Sequence, residues 1–265
     1  ALGLIYGAFS LSTVIGVPLS LFLANFFPQL SWHAPFFFLS LICLLFLLLA
    51  YLHLPSLPQQ TYTGKSQNLF AVLAVKQLRL PLLFVALATC GGFLVTPYVP
   101  LYLTSNVGVE EMAIPSIYLC AGVATLFSSR FIGKMADRYG KQQVFRFLAV
   151  ASCLPLLVST HLTPVAFWLV LLNAICLFVL VPGRMIAGMA FLSSLPAAHM
   201  RASFMNLVAA VQMSCIGLSA LVSGFIMTRD SQGHILNFAW SGYLAVFCGL
   251  FAAYLVLRLQ AAPNA

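Results

Sequence analysis

Groups able to act as acid, base or metal ligand are few in this chain and badly placed for it. Its four acids are Glu110, Glu111, Asp137 and Asp230, and its histidines number five. None of these, and no lysine, falls near the middle of a long apolar run, whereas an enzyme needs titratable groups that converge. An intramembrane enzyme is therefore not expected. The seven cysteines all lie inside apolar runs, with no CxxC and no histidine at ligand spacing. They read as small hydrophobes, so neither a metal nor a cofactor is implied.

What remains inside the apolar runs is uncharged polarity, which can bind by hydrogen bonds but cannot turn a substrate over. Thr96 and Tyr98 follow the Gly91, Gly92 pair, Asn173 stands near the centre of its run, and Gln212 lies in another. Tyr118, Gly122, Thr125 and Ser129 fall at i, i+4, i+7 and i+11, one stripe of a helix, and Gln212, Ser219 and Ser223 form a second. Such stripes either line a wet cavity or glue helices together by close packing. An amide in hydrocarbon faces the same two choices.

The elements that hold these residues are bilayer helices. Of 265 residues, 62% are hydrophobic and 6% charged, far from the quarter or so of charged residues in a soluble domain. A span takes roughly 20 residues. Runs near that length cover 4–26, 35–54, 80–104, 113–131, 144–161, 165–184, 203–227 and 236–258. The interval from Pro55 to Arg79 is rich in amides, prolines and cations, the marks of a solvated linker. Residues 1–54 thus form one part, 55–79 a central linker and 80–265 a second part with six spans.

The net charge of +8 does not point to nucleic acid, because the cations sit at the ends of apolar runs. With the linker in the cytoplasm, all of the twelve cations except Arg229 fall inside, Arg184 counted among them. Glu110, Glu111 and Asp230 fall outside, and Trp32, Trp168 and Trp240 mark outer span ends. The C-terminus is then cytoplasmic.

The densest charge lies in Gly133, Lys134, Met135, Ala136, Asp137, Arg138, Tyr139, Gly140 and Lys141, between two apolar runs. It reads as a charged turn with a glycine at either end. The pattern resembles the signature loop of the major facilitator superfamily, with Met135 in place of the usual leucine. Gly3, Gly7, Gly16, Val17 and Pro18 resemble the glycine and proline packing motif on the fifth helix of the drug-proton antiporter branch, particularly its arabinose-efflux-permease-like members. Ser20, Ala24 and the stretch Ser31, Trp32, His33 depart from that motif and its sequel. Arg184, Met185 and Ile186, then Arg201 to Asn206 with Gln212, look like the junction of the tenth and eleventh helices.

The resemblance implies an all-α membrane protein with eight transmembrane helices present, matching helices five to twelve. The N-terminal bundle would be partial and the C-terminal six-helix bundle complete. It implies secondary active transport of a small solute, by proton antiport in the full-length protein, in a bacterial inner membrane. Expected partners are the lipid bilayer, the solute and protons, with no nucleic acid. Tyr98, Asn173, Gln212, Thr96, Tyr118 and Thr125 are the expected cavity residues; Gly133, Asp137, Arg138, Gly140 and Lys141 form the expected gating loop. An uptake symporter of the same fold, and a scaffold or sensor that does not transport, stand as alternatives. The given chain, which begins at Ala1 without an initiator methionine, is expected to be a fragment, and the lack of a coupling carboxylate in its spans fits a fragment and a lost activity alike.

Overall fold

A computed structural model describes residues 15–27, 29–53, 76–197 and 200–259. Gly7, Gly3 and nearly all of the central linker lie outside the described residues. The helices are α1 (Val17–Phe26), α2 (Ala34–His53), α3 (Lys76–Phe93), α4 (Val99–Tyr102), α5 (Ile114–Tyr139), α6 (Lys141–Ala151), α7 (Cys153–His161), α8 (Phe167–Leu192), α9 (Arg201–Ile226) and α10 (Phe238–Arg258). Seven stretches among the described residues are long and apolar enough to cross a membrane. The chain is an integral membrane protein of all-α class, and the first predicted run is described only from residue 15.

From Lys76 onward the helices form one bundle. α8 packs on α5 and α6, α10 on α3 and α7, and α9 on α3, while α1 lies against α2 and α5. α2 buries only Ala34 and presents Phe36, Phe37, Leu41 and Phe46 outward at above 60% exposure. An apolar helix with no polar face is stable only against lipid or against other apolar helices. At one end the chain closes with a two-stranded hairpin, β1 (Thr228–Arg229) and β2 (Ile235–Leu236), antiparallel with Thr228 opposite Leu236. Asn106 imitates a further strand there, its amide donating to Ile235 O at 2.9 Å and accepting from Ile235 N at 2.9 Å. At the other end Gln142 Nε2 donates to Val256 O and Leu259 O, so α6 begins beside the end of α10.

Several runs are broken within the span, for reasons visible in the chain. α3 stops at Phe93 after Gly91 and Gly92, and a 3₁₀ turn over Thr96–Tyr98 holds Pro97. Pro155 cannot donate to Ala151 O, and the helix is interrupted one residue later at Ser152. Pro182, by contrast, leaves α8 unbroken. The carbonyl it strands is Phe178 O, four residues back, and Thr125 Oγ1 of α5 lies 3.0 Å from it while also 2.8 Å from Ala121 O. Neighbours that satisfy a freed carbonyl are what lets a bilayer helix keep its proline.

Because α8 continues to Leu192, Arg184 is not a span-end cation as the sequence suggested. It lies inside the bundle, 0% exposed. The run Met185 to Leu192 stays apolar, and Thr125 satisfies the carbonyl that Pro182 strands. A second difference concerns residues 133–139, which are the last turns of α5 rather than a turn. Ala, Met, Lys and Arg are good helix formers. Only Gly140, at φ +96°, breaks the chain direction, in a conformation that glycine alone adopts cheaply.

The core divides into two apolar clusters. One gathers Phe84, Phe145, Ala187, Phe191, Phe204, Ala252 and Val256, with Phe84 and Phe145 edge to face at 4.8 Å. Between bilayer helices such contacts gain by close packing rather than by removal from water, since lipid tails are as apolar as the core. The other gathers Leu94, Val95, Leu156, Leu177, Val181, Phe238 and Ala245.

Candidate functional site

The charged segment occupies the end where α5, α6, α8 and α10 meet. Asp137 stands on the last turn of α5, exposed, and makes no ion pair among the described residues. Gly140 then reverses the chain so that Lys141 opens α6, with no side-chain cap on that helix start. A cavity of about 620 Å³ lies here, lined by Asp137, Gly140, Lys141, Gln142, Phe191 and Leu259 among others. Arg138 lies over the ring of Tyr139 at 5.3 Å. Arg130, Lys134 and Arg138, at i, i+4 and i+8, share one exposed face of α5. The partner expected for Asp137, near Leu2 to Leu4, lies outside the described residues. Gly16 and Pro18 of the packing motif open α1, with Pro18 at its first turn, where a missing N–H costs nothing.

The neutral polar residues divide among three helix contacts. Tyr98 donates its hydroxyl to Ala220 O of α9 at 2.8 Å, and Gly224 leaves room for it, since a Cβ there would sit 3.2 Å from the oxygen. Ser223 of α9 donates to Leu94 O at 2.6 Å, so the break after α3 is stitched to α9 at two points. Thr96 bonds back to Gly92 O at 3.0 Å. Gln212 also lies on α9, half-buried, two turns before Ala220. Tyr118 and Thr125 meet at Phe178 of α8: the Tyr118 ring packs on it edge to face at 5.3 Å and Thr125 bonds its carbonyl. Asn173 is turned elsewhere and donates to Ser159 Oγ of α7 at 2.7 Å.

The structure thus brings Tyr118 together with Thr125, places Tyr98 and Gln212 on or against α9, and gives Asn173 a different neighbour. The polar ends of Tyr98, Thr125 and Asn173 are used in helix contacts. The stripe Gly122, Thr125 and Ser129 is buried in the bundle, and so are Ser219 and Ser223 of the second stripe. No group of three or more His, Cys, Asp or Glu side chains among the described residues is arranged to hold a metal.

At the hairpin end, Asp230 accepts from the backbone of Gln232 and His234 at 2.9 and 2.8 Å and pairs with the His234 ring at 3.2 Å. Desolvation pushes its carboxyl up, but the bonds from His234 and Gln232 outweigh that and hold it below the usual carboxylate range.

Sequence reasoning missed Arg184. Its Nη1 donates to Ser152 Oγ at 3.1 Å and its Nη2 to Ala88 O at 3.3 Å, while Nε has no hydrogen-bond partner. The available signal was the apolar run that continues past it to Leu192.

No curated protein and no solved structure matches the chain. A family model does: that of the Major Facilitator Superfamily, over residues 1–224. Buried helices broken at mid-span, a glycine-flanked charged segment at one end and a match over most of the sequence agree, and this chain belongs to the Major Facilitator Superfamily, whose members are membrane transporters of small solutes rather than enzymes.

Proposed function

We propose that the chain is the solute-translocating part of a proton-coupled efflux carrier for a neutral or amphipathic small molecule. The observation that carries this is the chemistry of the spans: hydroxyls and amides occur in their middles, and the carboxylates stand only at helix ends or in the hairpin. A desolvated ionic solute would need a countercharge that the open faces of these helices do not offer. The solute path runs along the inner faces of α3, α5 and α9, past Tyr98, Tyr118 and Gln212, with Thr96 and Thr125 fixing the shape of its wall. Asn173 acts from behind, holding α8 to α7.

Coupling needs a group that binds and releases a proton as the carrier alternates, and the four acids here stand at the ends of helices or in the hairpin, none at mid-span. Protons are therefore handled elsewhere in the full-length protein. Asp137 and its basic neighbours form the cytoplasmic gate, Asp137 bonding a helix start in the opposite half when the gate is shut. The orientation, with the C-terminus in the cytoplasm of a bacterial inner membrane, rests on the cations: among the described residues, setting Arg184 aside, nine of the other ten lie on the gate side.

The test is reconstitution of the full-length protein in liposomes under an imposed pH gradient, with lumenal pH followed while lipophilic dyes and antibiotics are added. Solute-dependent proton movement that drops when Gln212 is replaced by Leu supports the assignment. Movement driven only by strongly charged solutes overturns it.

A further inference from the structure

Four spans, α3, the α6–α7 pair, α8 and α10, meet at one level between the two apolar clusters. On α3 the gap between clusters holds Gly91 and Gly92, on α6 and α7 Ser152, on α8 Arg184 and on α10 Gly249. Arg184 fills this polar waist. A Cβ on Gly249 would come within 2.9 Å of Nη1, and one on Gly91 within 3.0 Å of Nη2. The glycines are thus the space the guanidinium occupies.

A buried cation this deep normally finds a carboxylate. Here none is available: Glu110 and Glu111 precede α5, Asp137 is exposed at its end, and Asp230 is in the hairpin. What compensates the charge is one hydroxyl and one backbone carbonyl. Ser152 caps the C-terminus of α6, where the helix dipole is negative, and Pro155 leaves Ala151 O without its helical donor. Ala88 O belongs to the last turns of α3, just before its break. A planar fork can bond both helices at once, whereas an ammonium group is a point charge on a flexible stem.

Broken helices bend at their breaks. We propose that Arg184 is a positioning residue for transport: bonded to α3 and to the α6–α7 break from α8, it locks these helices and α10 into one body that rocks without bending at the waist. The proposal rests on the chain being a carrier. Bending either broken helix would strand the guanidinium in an apolar interior, and that is what keeps the waist straight.

The experiment is amide hydrogen exchange of the full-length protein in lipid nanodiscs, for wild type and for R184M, R184K, R184A and S152A. R184M is expected to speed exchange about tenfold at both breaks, around Leu94 and around Ser152, and to leave Val256 unchanged. R184K should resemble R184M. For R184A, guanidinium chloride at low millimolar concentration should restore slow exchange at both breaks, and equal sodium chloride should not. S152A leaves the cation in place and guards against a variant that does not fold; it should loosen the α3 break as well as its own. Wild-type exchange in R184M, full protection by lysine, or an S152A effect confined to its own break would each overturn the proposal. Solute flux gives the second readout, with R184M lowering the maximal rate about tenfold while half-saturation stays within about twofold. Flux without any change in exchange sinks the clamp alone. Slow exchange that depends on Arg184 in a protein with no flux sinks the carrier reading and leaves the clamp standing.

Discussion

Thr125 should be worth more to this fold than a buried threonine usually is, because its hydroxyl replaces the N–H that Pro182 lacks. Thr125 is 7% exposed, and its oxygen lies 3.0 Å from Phe178 O. Thr125→Val keeps the shape and removes that donor, leaving a carbonyl in an apolar helix contact. Side-chain bonds between bilayer helices average about 0.6 kcal/mol and reach about 1.7, and a stranded buried acceptor costs about 1–3 kcal/mol. The expected loss is therefore about 1–2 kcal/mol, a factor of about 5–30 in the folded to unfolded ratio. In a Pro182→Ala background the N–H of residue 182 can bond Phe178 O, and the same Thr125→Val change should cost less than about 0.5 kcal/mol. Reversible unfolding in bicelles, followed by tryptophan fluorescence, measures both arms of the cycle. Equal costs in the two backgrounds would refute the argument that the threonine serves the proline.

Three further outcomes are expected. In a background without native cysteines, single cysteines at Gly108 and Gln232 should react with an impermeant thiol reagent from outside intact cells and one at Gln67 should not; labelling at 67 overturns the orientation. Asp137→Asn should leave the melting temperature unchanged while raising the reactivity of a cysteine at position 212 from the gate side, because the gate loses its anion; a large drop in melting temperature would make Asp137 structural instead. The Asp230 carboxyl is depressed, so the order it lends the hairpin is present above its ordinary value of 3.8 and lost as pH falls through its lower folded value. Asp230→Asn should remove that dependence, and a hairpin whose amide protection is flat with pH in wild type would contradict it.

The spans were legible because about 20 apolar residues in a row have few other uses, and alternation of the basic loops followed from them. What the run lengths hid was where a helix breaks inside the membrane and where it does not. Pro155 and Pro182 look alike in sequence, yet one sits at a broken helix and the other in a continuous one. The difference is a hydroxyl from another helix, set 53 residues away in the chain at Thr125. The polar stripes suffered the same ambiguity: periodicity placed Thr125 and Ser129 on one face but could not say whether water or α8 covered it. Tertiary packing decided for α8.

Arg184 shows the cost of reading charge by position alone. A cation after a Pro-Gly pair near the end of a 20-residue run is, by the ordinary logic of loops, a cytoplasmic residue. That logic assumes that burial must be compensated by an opposite charge, and this sequence has none to offer nearby. The bundle compensates it with a hydroxyl at the end of α6 and a carbonyl of α3. Ser152 and Ala88 supply the acceptors at 3.1 and 3.3 Å, and Gly91, Gly92 and Gly249 supply the volume. The glycines, the serine and the arginine are thus one feature distributed over four helices, and no pairwise spacing along the chain connects them. A substitution at any one of these positions should therefore be felt at the others. Gly249→Ala, which pushes a methyl toward Nη1, is expected to weaken the Ser152 contact on the far side of the guanidinium before it disturbs either apolar cluster.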